Sequence, residues 1–246
     1  MEFKFLASYI LVLVALFYSY KEKLGLEKTL LLSSLRAFFQ LLILGYLLTF
    51  IFKLDKVWEL FLVLLFMIVF AAYTAESRVK LRENRGYLIA FLSVFSASFT
   101  VIFSLLSFGV ISLKPNEIIP VGGMIIGNSL NVYTLFVERL KNDIKNSIET
   151  IENKIALGVS LRQALYPVVK SSIRASLIPV INTLQTVGII HIPGVTTGML
   201  LAGAEPLEAV SYQLAIMYMM VAVALFTGIF TNMYLFKLFF KGRLRV

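Results

Sequence analysis

Apolar residues dominate seven long blocks, at 5–20, 30–52, 57–75, 86–110, 118–137, 172–190 and 209–236, and nearly all charged residues lie in the stretches between them. A bilayer core about 30 Å thick is crossed by roughly 20 apolar residues in an α-helix. Inside lipid the backbone must satisfy its own hydrogen bonds, so blocks of this length predict helices. The pattern therefore predicts an all-α integral membrane protein of about seven spans, forming one domain over residues 1–246. The first block has no basic leader and no small-residue cleavage site, and we read it as a retained span. The sixth carries Arg174 at its entry and Pro179 within it.

Composition supports the same class. Of the 246 residues, 59% are hydrophobic and 15% charged, where soluble domains are nearer one quarter charged. A net charge of +9 would suit a nucleic-acid partner, but the basic residues lie in short loops between the apolar blocks, which argues against one. With the N-terminus outside, eighteen of the 23 Lys and Arg residues fall on the inner side and four on the outer, leaving Arg36 within the second block. That asymmetry places the C-terminus in the cytoplasm. No cysteine is present, which excludes disulfides, thiolate metal sites and a thiol nucleophile. No fixed-period repeat and no pair of similar halves is visible.

The inner stretch at about 138–171 has a pattern of its own. Ile144, Ile148, Ile151 and Ile155 fall on one helical face, which predicts that the fifth span continues into the cytoplasm as an amphipathic helix. Gly158 is placed to close that helix in a left-handed turn. Ser160 with Gln163 reads as a capping box opening a second, short helix, and Pro167 reads as a break before the next span. Such a loop suits docking of a soluble partner through Glu152, Gly158, Ser160, Leu161, Arg162 and Gln163; an undocked surface helix is the plainer alternative. The Glu152-to-Gly158 spacing resembles the E-A-A-x-x-x-G signature in the coupling loop of ABC-importer membrane subunits, with Asn153 and Lys154 in place of the alanines.

A wider resemblance covers nearly the whole chain. MIIGNSLN at 124–131, ERL at 138–140, ALGVS at 156–160, the Arg36–Gln40 pair and the run at 173–217 resemble the FetB-like (UPF0014) ABC transporter permeases. Members are associated with iron export, and plant relatives with aluminium tolerance. The family's P-G-M-M-T-G-Q-I-L-A-G appears as Pro193 to Gly203, with Val195 and Thr196 where methionines are usual and Met199 where glutamine is usual. The resemblance implies a multi-pass permease of the inner (plasma) membrane, working as a homodimer with separately encoded ATP-binding subunits. ATP would be bound by those partners: this chain has no G-x-x-x-x-G-K-[ST] and is expected to carry neither a cofactor nor an enzymatic activity of its own.

Polar residues within the spans are candidates for the path. Arg36 and Gln40, Asn128 and Asn131, and Asn182 and Gln185 are spaced three or four apart, so each pair shares a helix face. Interhelical hydrogen bonding accounts for the amides equally well. Arg36 lies one turn from the inner end, where it can snorkel or meet a polar neighbour such as Glu76. Met124, Met199, Met217, Met219 and Met220 offer thioethers but read first as packing.

The remaining scarce residue types gather between the last two spans. His191, Pro193, Gly194, Thr196, Thr197, Gly198 and Met199 are expected to stop the sixth span and form an irregular or re-entrant outer gate, although an ordinary hairpin turn is open too. One histidine without cysteine makes a poor metal site, even with Glu205 and Glu208 near in sequence. Two other function classes remain to be tested against a permease: a stand-alone channel or ion-driven carrier, and an intramembrane enzyme. For the enzyme, neither G-x-S-x-G nor H-E-x-x-H occurs.

Overall fold

The computed structural model describes residues 2–81 and 85–240. Arg82, Lys241, Arg243 and Arg245, counted above as inner-side charges, lie outside the described residues. Among the described residues the chain is helical throughout. Its elements are α1 (Glu2–Lys21), α2 (Glu27–Ile51), α3 (Val57–Val79), α4 (Gly86–Ser107), α5 (Pro115–Asn146), α6 (Ile148–Ala156), α7 (Leu161–Thr186), α8 (Gly194–Leu201), α9 (Pro206–Tyr234) and a terminal π-helical turn, Leu235–Phe240. Six of these (α2, α3, α4, α5, α7 and α9) have the length and hydropathy of a membrane span, which makes this a multi-pass membrane protein. In α1, where the sequence places a seventh, the apolar helical run Tyr9–Lys21 is shorter.

The helices form two compact units, residues 1–55 and 56–246. The first is the hairpin of α1 and α2. Its turn uses left-handed backbone at Lys23 and Gly25, and the Ser19 hydroxyl closes it by donating to Glu27 Oε1 at 2.8 Å. No residue of α2 is buried, which suits a helix whose apolar side chains face lipid.

The second unit is built around α5, which packs against α3, α4, α7 and α9. Its buried face runs through Ile118, Gly122, Ile125, Ser129, Val132, Phe136 and Leu140, a three–four spacing that keeps one stripe inward. Lipid offers helices little hydrophobic drive to associate, so close packing and buried polar pairs carry more of the adhesion. Both occur here. Gly122 lies so close to Leu64 of α3 that a side chain on it would collide with the leucine methyl. Asn128 Nδ2 donates to the Met220 carbonyl at 2.9 Å, Ser129 and Thr227 hydroxyls pair at 2.8 Å, and Ser96 pairs with the Tyr234 hydroxyl at 2.8 Å.

Three elements differ from the sequence expectation. The amphipathic run after α5 is not continuous: Ser147 leaves helical geometry (φ −113°, ψ 13°) and divides it. Ile144 therefore ends on α5, and of the three isoleucines on α6 only Ile151 is buried. Gly158 does take the left-handed turn, at φ +89°, and Ser160 does begin a helix. That helix is not short. α7 runs 26 residues from Leu161 to Thr186, straight through Pro167 and Pro179, so the proposed break and the span start at 172 are corrected. Each proline removes one backbone bond to the carbonyl four residues back. Burial of Ala164, Leu165, Val169, Ser172 and Ser176 along one face holds the helix together in spite of that.

Finally, Pro193 and Gly194 start a helix and do not stop one. α7 ends at Thr186, with Val187 extended and Gly188 left-handed at φ +81°. A tight turn follows, bridging Val187 to His191, with the Gly188 N–H donating to the His191 carbonyl at 3.0 Å. Pro193 is then the N-cap of the short helix α8, so most of the segment expected to be irregular is helical.

The start of α7 gives a direct test. Ser160 Oγ accepts weakly from the Gln163 N–H at 3.4 Å and donates to Gln163 Oε1 at 2.7 Å. Ser160→Ala is expected to lower stability by about 0.5–1 kcal/mol in a detergent melting experiment, and Ser160→Asp to restore it.

Candidate translocation path and docking surface

Three cavities follow one another along α5, α7 and α9. The first, about 290 Å³, lies where α8 folds against α9 and is walled by Val187, Pro193, Thr196, Leu200, Gln213 and Met217. Its polar centre is a buried pair: Thr196, 4% exposed, donates to Gln213 Oε1 at 3.3 Å. The second, about 140 Å³, is lined by Asn128, Pro179, Thr183, Met217 and Met220. The third, about 620 Å³ and the widest, takes Arg78, Asn131, Thr134, Glu138 and Pro179. Met217 belongs to the first two cavities and Pro179 to the last two. The series therefore descends from the α8 end of the bundle toward the α6 end with a shared side chain at each junction.

The sequence-derived candidates divide between this series and other surfaces. Asn128 and Asn131 line the second and third cavities. Asn128 is also the interhelical tie that was its plainer reading, so the two roles coincide in one side chain. Asn182 and Gln185 are exposed on α7, flanking the cavity-lining Thr183. Arg36 and Gln40 are exposed on α2, in the first unit. Of the residues expected to form an outer gate, Pro193 and Thr196 line the first cavity, whereas Gly194, Thr197 and Gly198 are exposed and Met199 is half-buried. His191 is exposed, its Nδ1 3.4 Å from the Thr186 hydroxyl. Among the described residues no three His, Cys, Asp or Glu side chains converge as a ligand set.

Gln213, Thr183, Pro179, Arg78 and Glu138 were absent from the sequence candidates. Gln213 carries a legible signal, an amide within the last apolar block; Arg78 enters only as an inner-side charge and Glu138 only within the ERL motif.

At the other end, α6 is anchored yet uncovered. Ile151, 4% exposed, inserts into a core cluster with Val79, Leu140 and Leu165. Beyond it Ile148, Ile155 and Leu157 are exposed, Leu157 at 84%. Glu152, Gly158, Ser160, Arg162 and Gln163 are exposed as well, and Leu161 is half-buried. Lys141 Nζ on α5 donates to the Val79 carbonyl at 2.8 Å and caps α3 beside this end.

Known proteins extend this picture. The chain is 38% identical over 93% of its length to the protein ALUMINUM SENSITIVE 3 of Arabidopsis thaliana, covering 83% of that relative. It is 33% identical over 95% of its length to the probable iron export permease protein FetB of Escherichia coli (strain K12), covering 90% of it. To the UPF0014 membrane protein YjkA of Bacillus subtilis (strain 168) it is 36% identical over 89% of this chain and 87% of the relative. No solved structure matches. Residues 3–240 match the family described as "Uncharacterised protein family (UPF0014)", and with relatives above 30% identity along almost the whole chain, this membrane protein belongs to the UPF0014 family.

Proposed function

We propose that this chain is the membrane subunit of an ATP-driven metal exporter, with iron as the first cargo to test. It works as a homodimer with a separate ATP-binding subunit that docks on α6 and the turn at Gly158. ATP is bound and hydrolysed by that partner, and this chain supplies the path and the docking surface. The observation that carries the reading is the state of α6, whose one buried isoleucine fixes it to the core while Leu157 stands 84% exposed at its end. A helix so placed transmits a push into α5 and α7, the walls of the cavity series. The name of the Escherichia coli relative, an iron export permease, points to the cargo.

Co-expression with candidate ATP-binding subunits and affinity capture from membranes tests the reading. Capture of an ATPase, and metal transport that requires it, is expected. ATP-independent flux through proteoliposomes holding this chain alone would instead establish a channel or ion-driven carrier. Leu157→Asp should leave the melting temperature unchanged, because the side chain buries almost nothing within the chain. It should weaken ATPase capture more than tenfold, since a buried leucine contributes about 1.5–3 kcal/mol to an interface. Unchanged capture would exclude this turn as the contact.

A further inference from the structure

We infer that the middle cavity, between Asn128 of α5, Thr183 of α7 and Met217 and Met220 of α9, is a cation site selective for soft-to-borderline metal ions of low charge. The inference rests on the transport reading above and gives its cargo a chemical class and a place.

The cavity's lining holds two side chains able to donate, Asn128 and Thr183, and each already gives one hydrogen to a backbone carbonyl. Asn128 Nδ2 donates to the Met220 carbonyl at 2.9 Å; because that carbonyl can only accept, the amide orientation is fixed. The Thr183 hydroxyl donates to the Pro179 carbonyl at 2.9 Å. What these groups still have to offer a ligand is an amide oxygen, a hydroxyl oxygen, two thioether sulfurs and the second N–H of the Asn128 amide. Four of these five are lone-pair donors, so the site suits a cation better than an anion, to which it offers a single N–H.

The charge and softness of the ion follow from the same set. No lining residue of this cavity is ionised. Neutral ligands cannot replace the hydration of a highly charged ion, whose desolvation cost rises steeply with charge. Thioethers favour soft and borderline metals over hard ones such as Mg(II) or Al(III). A volume of about 140 Å³ leaves room for the ion with a few of its waters, at roughly 30 Å³ each. Met217 also lines the first cavity, so the same side chain borders both chambers at their junction.

The full chain, purified in detergent under anaerobic, reducing conditions, is titrated with Ag(I) as a redox-inert soft probe, with Fe(II), and with Mg(II) and Al(III). X-ray absorption at the metal edge then reads the bound shell. Saturable Ag(I) and Fe(II) binding with sulfur neighbours is expected, with Mg(II) and Al(III) failing to compete. Met217→Leu with Met220→Leu conserves volume and should remove the sulfur signal and weaken Ag(I) at least about tenfold. Met219→Leu, buried on the same helix but outside this cavity, should change neither. A shell of oxygen alone, or Ag(I) binding unaltered in the double variant, overturns the assignment. If the double variant melts early, the two single variants are read in its place by the same criteria. Intact ATPase capture alongside a negative result here refutes only the cation site, whereas lost capture with sulfur ligation retained refutes only the coupled-transport reading.

Discussion

Gly158→Val is expected to reduce ATP-driven transport at least tenfold while the isolated chain keeps its helicity and its monodispersity. Gly158 turns the chain between α6 and α7 at φ +89°, where a β-branched residue is strongly disfavoured. Nothing lies within 4 Å of where its side chain would project, so the substitution creates no clash and acts through backbone conformation alone. The left-handed penalty is about 1–2 kcal/mol for residues with a Cβ, and the chain escapes it by re-aiming α6 against α7. The buried anchor Ile151 then leaves its seat beside Leu140 and Leu165, and a push on α6 no longer reaches the bundle. An ordered series follows: transport falls from glycine through asparagine, which tolerates this conformation, to alanine and then valine. Transport and ATP hydrolysis are measured together in vesicles containing the assembled complex. Wild-type transport by the valine variant would show that the turn geometry does not matter to coupling.

The second large effect concerns stability. Gly122→Leu should destabilise the fold by roughly 2–4 kcal/mol or prevent its accumulation, because α5 and α3 meet at this glycine with the buried Leu64 opposite. Gly122→Ala should do so more mildly, and Leu64→Ala in the same chain should recover part of the loss, a coupling that a double-mutant cycle reads directly. Gly127, on the same helix with open space around it, provides the contrast. There alanine should be neutral or should stabilise by about 0.5–1 kcal/mol, as expected when a helical glycine makes no close contact. Equal losses at both positions would mean that helix propensity, and not the α3–α5 approach, governs this part of the bundle.

How far the sequence could be read depended on the kind of information each feature needed. The long helices were legible because lipid imposes one requirement on every spanning residue, and an apolar block satisfies it locally. The start of α7 at Ser160 and the turn at Gly158 were legible because caps and left-handed turns are chosen by single residues. The continuity of α7 through Pro167 and Pro179 was not, because it depends on which face is buried, and that is a property of the neighbours. The same reason hid the division at Ser147, where the isoleucine spacing alone favours an unbroken helix. Pro193 misled in a different way: its fixed φ suits the entry to a helix as well as an exit, and only the tight turn at Gly188 decides which. Of the cavity-lining residues, Asn128 and Asn131 stand out as amides in apolar surroundings. Thr183 and Pro179 carried no such mark, since their place follows from α7 lying against α5 and α9.

Pro179 stands in the walls of two neighbouring cavities at once. Lacking an N–H for the carbonyl of Ala175, it leaves α7 one bond weaker at that level than a helix of ordinary residues. Any bend of α7 at that level changes the shape of both cavities at once.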